Sequence, residues 1–175
     1  MAVCYVLPHR FANSLYKKLR RMIIISNKIM IYNAVLAAIY VALTVINPIG
    51  TMAIQIRISE MLAVIPFFNR KFIPGMLLGL AAANFFSPLG LIDVATGVGI
   101  AVISYTISYF IKNVWINAVQ YSVLCGIFVG LMLLIVLEIP FWFSFVTITI
   151  STLITTFLGT MLFSKVGHRI LPNLK

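Results

Sequence analysis

Acidic residues are almost absent: three Asp and Glu in 175 residues, against thirteen Lys and Arg. Charged residues of both signs make up only 9% of the chain, and 62% of it is hydrophobic. That leaves too little polar sequence to cover a soluble globule of this length. Histidine is confined to His9 and His168, and cysteine to Cys4 and Cys125. Neither pair has metal-ligand spacing, and no disulfide framework can be drawn from them. A phosphate-binding glycine loop and a nucleophile–base triad are also missing, so nothing in the chain supports an enzyme, a bound cofactor or a metal site. No cleavable signal peptide is expected, because the apolar runs within residues 1–28 are too short. The net charge of +10 would suggest nucleic acid in a soluble protein. Here the charges fall between apolar stretches rather than among aromatics on one face, which argues against that partner.

What is present is long apolar sequence, with a mean hydropathy of +1.11. The runs are too continuous for a membrane barrel, so the expected fold is an all-α integral membrane protein. Six spans can be drawn: Ile29–Asn47, Ile54–Phe68, Ile73–Ser87, Gly90–Ile111, Trp115–Leu137 and Phe141–Phe163. They form a compact bundle over residues 29–164, between a basic leader (1–28) and a tail (165–175). The second and third spans have about 15 residues each, where about 20 are needed to cross the hydrocarbon core. One re-entrant hairpin made of both is the alternative, leaving four full spans. Short, Gly/Pro-interrupted spans are also where membrane carriers open a polar cavity.

Charge sets the orientation. With the leader in the cytoplasm, Arg10, Lys17, Lys18, Arg20, Arg21, Lys28, Arg70, Lys71, Lys112, Lys165, Arg169 and Lys175 all lie on that side. Only Arg57 lies outside. Six spans with both termini cytoplasmic therefore satisfy the positive-inside rule.

The three acids then map to one level. Glu60 opens the second span, Asp93 opens the fourth and Glu138 ends the fifth, all in the outer half. Arg57, Gln55 and Asn84 fall at the same depth. Ionisable groups within a membrane are expensive and point to function. Arg57 and Glu60, three residues apart on a helix, could instead simply neutralise each other. Convergence of the whole set describes the wall of a ligand pocket. Small residues form a second pattern. Ala34, Ala38 and Ala42 recur every fourth position on the first span, a stripe that lets another helix approach closely in lipid. Gly75, Gly79 and Ala83 make a similar stripe on the third span, as do Gly97 and Ala101 on the fourth.

Gln55-Ile-Arg57-Ile-Ser59-Glu60 resembles the Q-x-R-x-S-E signature of the QueT family. Pro66-Phe67, Pro74-Gly75, Gly79 with Ala83-Asn84, and Gly90-Leu91-Ile92-Asp93 follow in the family's order. The resemblance covers about Ile29 to Lys165. It implies a six-helix substrate-binding S component of an energy-coupling factor (ECF) importer in a prokaryotic cell membrane. Such a subunit would capture a queuosine precursor, a 7-deazaguanine-type molecule, from outside. Its implied partners are a transmembrane T component, docked on Ala34, Ala38 and Ala42, and two ATPases that use the ATP. The candidate substrate-binding set, read from their shared outer level, is Gln55, Arg57, Glu60, Asn84, Asp93 and Glu138. One departure stands out: the family's Gly-Glu pair in the last span is replaced here by Ile148-Thr149-Ile150-Ser151-Thr152. An S component for another vitamin, or a membrane scaffold, are the other readings.

Overall fold

A computed structural model describes the backbone of residues 9–46 and 57–170, and the side chains of residues 27–46 and 57–165. Among these every regular element is a helix. Helix α1 (His9–Ile46) runs for 38 residues without a glycine or proline. It passes through Ile29 with no break, so the helical part of the leader and the first span are one element. The Asn47–Gly50 turn expected after it lies outside the described residues.

The second span is not one helix, which corrects the sequence expectation. It consists of a 3-10 turn (Ile58–Met61), the single turn α2 (Ile65–Phe68) and a second 3-10 turn (Arg70–Phe72). Pro66 sits in the first turn of α2. It has no N–H to bond back to the carbonyl four residues earlier, which disfavours a helix running through it and suits the start of a new turn. Asn69 is extended, and its side chain accepts a hydrogen bond from the Lys71 N–H, which starts the second 3-10 turn.

Helix α3 (Ile73–Phe85) carries Pro74 in its first turn, where the missing N–H does no harm. Its 13 residues rise about 20 Å, short of a full hydrocarbon core. Gly90, at φ 56° and ψ −126°, supplies a backbone turn that suits glycine before α4 (Leu91–Ile107). Asn113 accepts from the Trp115 N–H to start α5 (Val114–Leu137), which ends at Glu138 in the left-handed region. Helix α6 (Phe141–Ile170) extends past the expected end at Phe163. Among the described residues three segments are long and apolar enough to cross a membrane: Asn27–Ile46, Val114–Leu137 and Phe141–Lys165. Ile58–Phe68 and Leu91–Ile107 are apolar but shorter.

The helices pack in a chain of neighbours, α1 on α3, α3 on α4, α4 on α5 and α5 on α6. The broken segment fills the space between α1, α5 and α6. Small residues set these approaches. The Gly75 N–H donates to Asn33 Oδ1 at 2.8 Å, and a Cβ there would collide with Asn33. A Cβ on Gly79 would stand 3.0 Å from the Ala37 Cα. Met61 backbone similarly fills the space over Gly159. The third-span stripe is thus used inside the bundle. Ala34, Ala38 and Ala42 are not: all three are exposed, on the side of α1 away from buried Leu36 and Tyr40. The outer surface is itself strongly apolar, with Phe86, Phe110, Ile135 and Trp142 all at least 70% exposed, as a lipid-facing bundle requires.

Candidate functional site

The N-terminal ends of the broken segment and of α4, together with the C-terminal end of α3, meet in a buried polar cluster. Arg57 Nη1 donates to Asn84 Oδ1 at 3.1 Å, and Arg57 Nη2 lies 3.6 Å from Asp93 Oδ2. Asn84 Nδ2 donates in turn to the Asp93 backbone carbonyl at 3.2 Å. The Arg57 and Asp93 side chains are only 11% and 5% exposed, so this ion pair is shielded from water. Asn84 reaches it because Gly97 has no side chain: a Cβ at Gly97 would overlap Asn84 Nδ2.

Glu60 joins the cluster from the following 3-10 turn but turns to other partners. Tyr40 on α1 donates to Glu60 Oε1 at 3.2 Å, and Tyr121 on α5 donates to Oε2 at 2.7 Å. All three side chains are buried. A buried carboxylate needs its lone pairs satisfied, and a buried tyrosine hydroxyl needs an acceptor, so each group meets the other's requirement. The arrangement ties α1, the broken segment and α5 together through one carboxylate.

These groups surround a cavity with about 30 Å³ of open space, enough for one or two waters. Arg57, Glu60, Asn84 and Asp93 line it together with Tyr121, Cys125, Ile148 and Thr152. Of the residues singled out in the sequence, four come together here. Glu138 does not. It sits in the exposed left-handed turn that ends α5 (φ 56°), away from the cavity lining. Gln55 lies outside the described residues. Tyr40 and Tyr121 went unnoticed in the sequence because each is embedded in an apolar run, and Cys125 and Thr152 were named there but not as lining residues. The available signal was that a tyrosine in the middle of a membrane helix must find an acceptor. Ile148 and Thr152 belong to the stretch that departs from the family's last-span pattern, and that stretch faces the cavity. Among the described residues no three His, Cys, Asp or Glu side chains gather as a metal site.

An all-helical bundle with long apolar helices and a strongly apolar outer surface belongs to the class of helical membrane proteins. The chain belongs to the QueT transporter family, whose description matches residues 30–168. That agrees with the resemblance carried by the Gln55–Glu60 motif. A similar protein is the queuosine precursor transporter QueT of Lactococcus lactis subsp. cremoris (strain MG1363). It is 29% identical over 156 residues, covering 78% of this chain and 90% of the relative. No solved structure matches the chain.

Proposed function

We propose that this chain is the substrate-binding membrane subunit of an ECF-type importer and that it captures a queuosine precursor, a 7-deazaguanine-type base, from the outer face of the cell membrane. The observation that carries this reading is the Arg57–Asn84–Asp93 cluster beside Glu60, facing a cavity inside the bundle. A 7-deazaguanine offers two adjacent N–H donors and a carbonyl acceptor on one edge. A carboxylate accepts the former, and Arg57 or Asn84 donates to the latter, through charge-assisted bonds strengthened by exclusion of water. Family membership and the name of the Lactococcus relative support the same substrate class.

The reading includes six crossings with both termini cytoplasmic. Three contacts support it over a re-entrant hairpin. Arg57 meets Asp93 at the start of α4, the Tyr105 hydroxyl donates to Ala63 O at 3.0 Å, and Arg70 Nη2 donates to Ser108 O at 3.2 Å just past the end of α4. The broken segment therefore runs parallel to α4 over its full length, and α3 returns. If α4 crosses, both of the others do. The exposed Ala34, Ala38 and Ala42 face is the docking surface of the T component in this reading, because close helix approach in lipid depends on small residues.

Calorimetry on the purified chain tests the substrate. Binding of 7-deazaguanine at micromolar or tighter affinity is expected, and no binding would overturn the reading. Mass spectrometry of molecules that co-purify identifies any other vitamin. In cells expressing the whole transporter, Ala38→Trp is expected to abolish uptake while the isolated chain keeps its affinity within a few fold. Loss of binding by the isolated variant would count against docking at this face.

A further inference from the structure

Two buried carboxylates face the cavity, and their partners differ. Both oxygens of Glu60 already accept a hydroxyl, one from Tyr40 on α1 and one from Tyr121 on α5. Those donors approach from two different helices and hold the carboxylate as an internal clasp. Asp93 is placed differently. Its backbone carbonyl, not its carboxylate, takes the Asn84 amide. Its carboxylate faces Arg57 across 3.6 Å, an ion-pair distance longer than a good charge-assisted hydrogen bond. It stands in the first turn of α4, on the cavity lining, and is 4% exposed.

We propose that Asp93 is the specificity-determining carboxylate, accepting the ring N–H and the 2-amino group of a 7-deazaguanine side by side, while Glu60, Tyr40 and Tyr121 hold the bundle together and do not read the base. This rests on the substrate class proposed above and decides between two acids that the sequence leaves equivalent. A paired acceptor facing paired donors discriminates strongly, because an analogue lacking one donor leaves a buried carboxylate oxygen without its partner. The 30 Å³ of open space is smaller than the base, so a ligand must part the walls to enter. A pair already separated by 3.6 Å is easier to part than a carboxylate bonded at 2.7 Å.

The test compares 7-deazaguanine with 7-deazahypoxanthine, which lacks only the 2-amino group, by calorimetry on the full chain. The wild type is expected to prefer 7-deazaguanine by about 10-fold or more. Asp93→Asn is expected to bring that preference within about 3-fold, since an amide offers one acceptor where the carboxylate offers two. Glu60→Gln and Tyr121→Phe are expected to keep the wild-type ratio while lowering the melting temperature of the ligand-free protein. A change in the ratio is a readout that a merely structural residue does not move. Equal binding of both bases by the wild type would overturn the assignment without touching the transport reading. So would a ratio lost in Glu60→Gln and kept in Asp93→Asn. Binding of neither base by the wild type would overturn both.

Discussion

Arg57 and Arg70 stand near opposite ends of one broken segment and live in different physical worlds. Arg57 is largely shielded, with its side chain 11% exposed, paired with Asp93 and hydrogen-bonded to Asn84. Arg70 is exposed, lies 4.0 Å over the ring of Tyr109 and donates to the Ser108 carbonyl beyond α4. In the proposed orientation Arg70 lies on the cytoplasmic side, where a charge satisfies the positive-inside rule and water still reaches it. Its contacts with Tyr109 and Ser108 add a modest anchor. A charge at the outer level satisfies no such rule, and its burial has to be offset by partners. The same side chain is a topology signal at one end and part of a candidate binding site at the other. Burial makes the difference.

Removing each arginine should therefore have unequal consequences. Arg57→Ala leaves the Asp93 carboxylate buried without this counter-ion, and loss of one member of a buried pair costs about 3–5 kcal/mol. We expect a large fall in melting temperature and loss of ligand binding. The double variant Arg57→Ala/Asp93→Ala should be less destabilised than the two single changes added together. Strict additivity, in thermal unfolding of the detergent-solubilised protein, would show that the pair is not coupled.

Gly97→Ala sharpens the outer end without changing its charge. The new methyl overlaps the Asn84 amide and drives it from Arg57 and the Asp93 carbonyl. Two hydrogen bonds are lost, about 1 kcal/mol for the neutral one and about 2 kcal/mol for the one from Arg57, against about 1 kcal/mol gained in helix propensity, so stability should fall by only about 2 kcal/mol. Affinity for 7-deazaguanine should nonetheless fall by about 5-fold or more, since one hydrogen bond is about that much. Unchanged affinity would remove Asn84 from the site. The smallest effect is expected at the other end. Arg70→Ala loses one carbonyl bond and one cation–π contact at an exposed position, together about 1 kcal/mol. Ligand affinity should stay at the wild-type value, and a binding defect would mean that the two ends of the segment communicate.

Several features were legible from residue type alone. The apolar runs of α5 and α6 announced helices, and their expected starts, Trp115 and Phe141, fall within one residue of those observed. Pro74 read correctly as a first-turn residue. Pro66 carried the opposite message, and treating its span as one helix ignored it. That error propagated. On a continuous helix Arg57 and Glu60 would face each other at a spacing of three. Across the 3-10 turn they part, Arg57 to Asp93 and Asn84, Glu60 to Tyr40 and Tyr121. Glu138 looked equivalent to the other acids because depth was the only coordinate available. Its direction depends on the turn that ends α5, which depth does not reveal.

The sequence by itself determined that this is a helical membrane protein, which face of α1 is made of small residues, and that a few charges stand at a depth where charge is costly. Those are properties of composition and period, and any chain with this pattern must obey them in lipid. Only the tertiary structure decided which charges meet. Tyr40, Glu60 and Tyr121 come from elements 20 and 61 residues apart in the chain. Close backbone approaches at Gly75, Gly79 and Gly159 set the packing around them, and the missing side chain at Gly97 admits Asn84 to the neighbouring Arg57–Asp93 pair. Hydrogen bonding acts over about 3 Å, and no one-dimensional spacing places groups that finely across three helices.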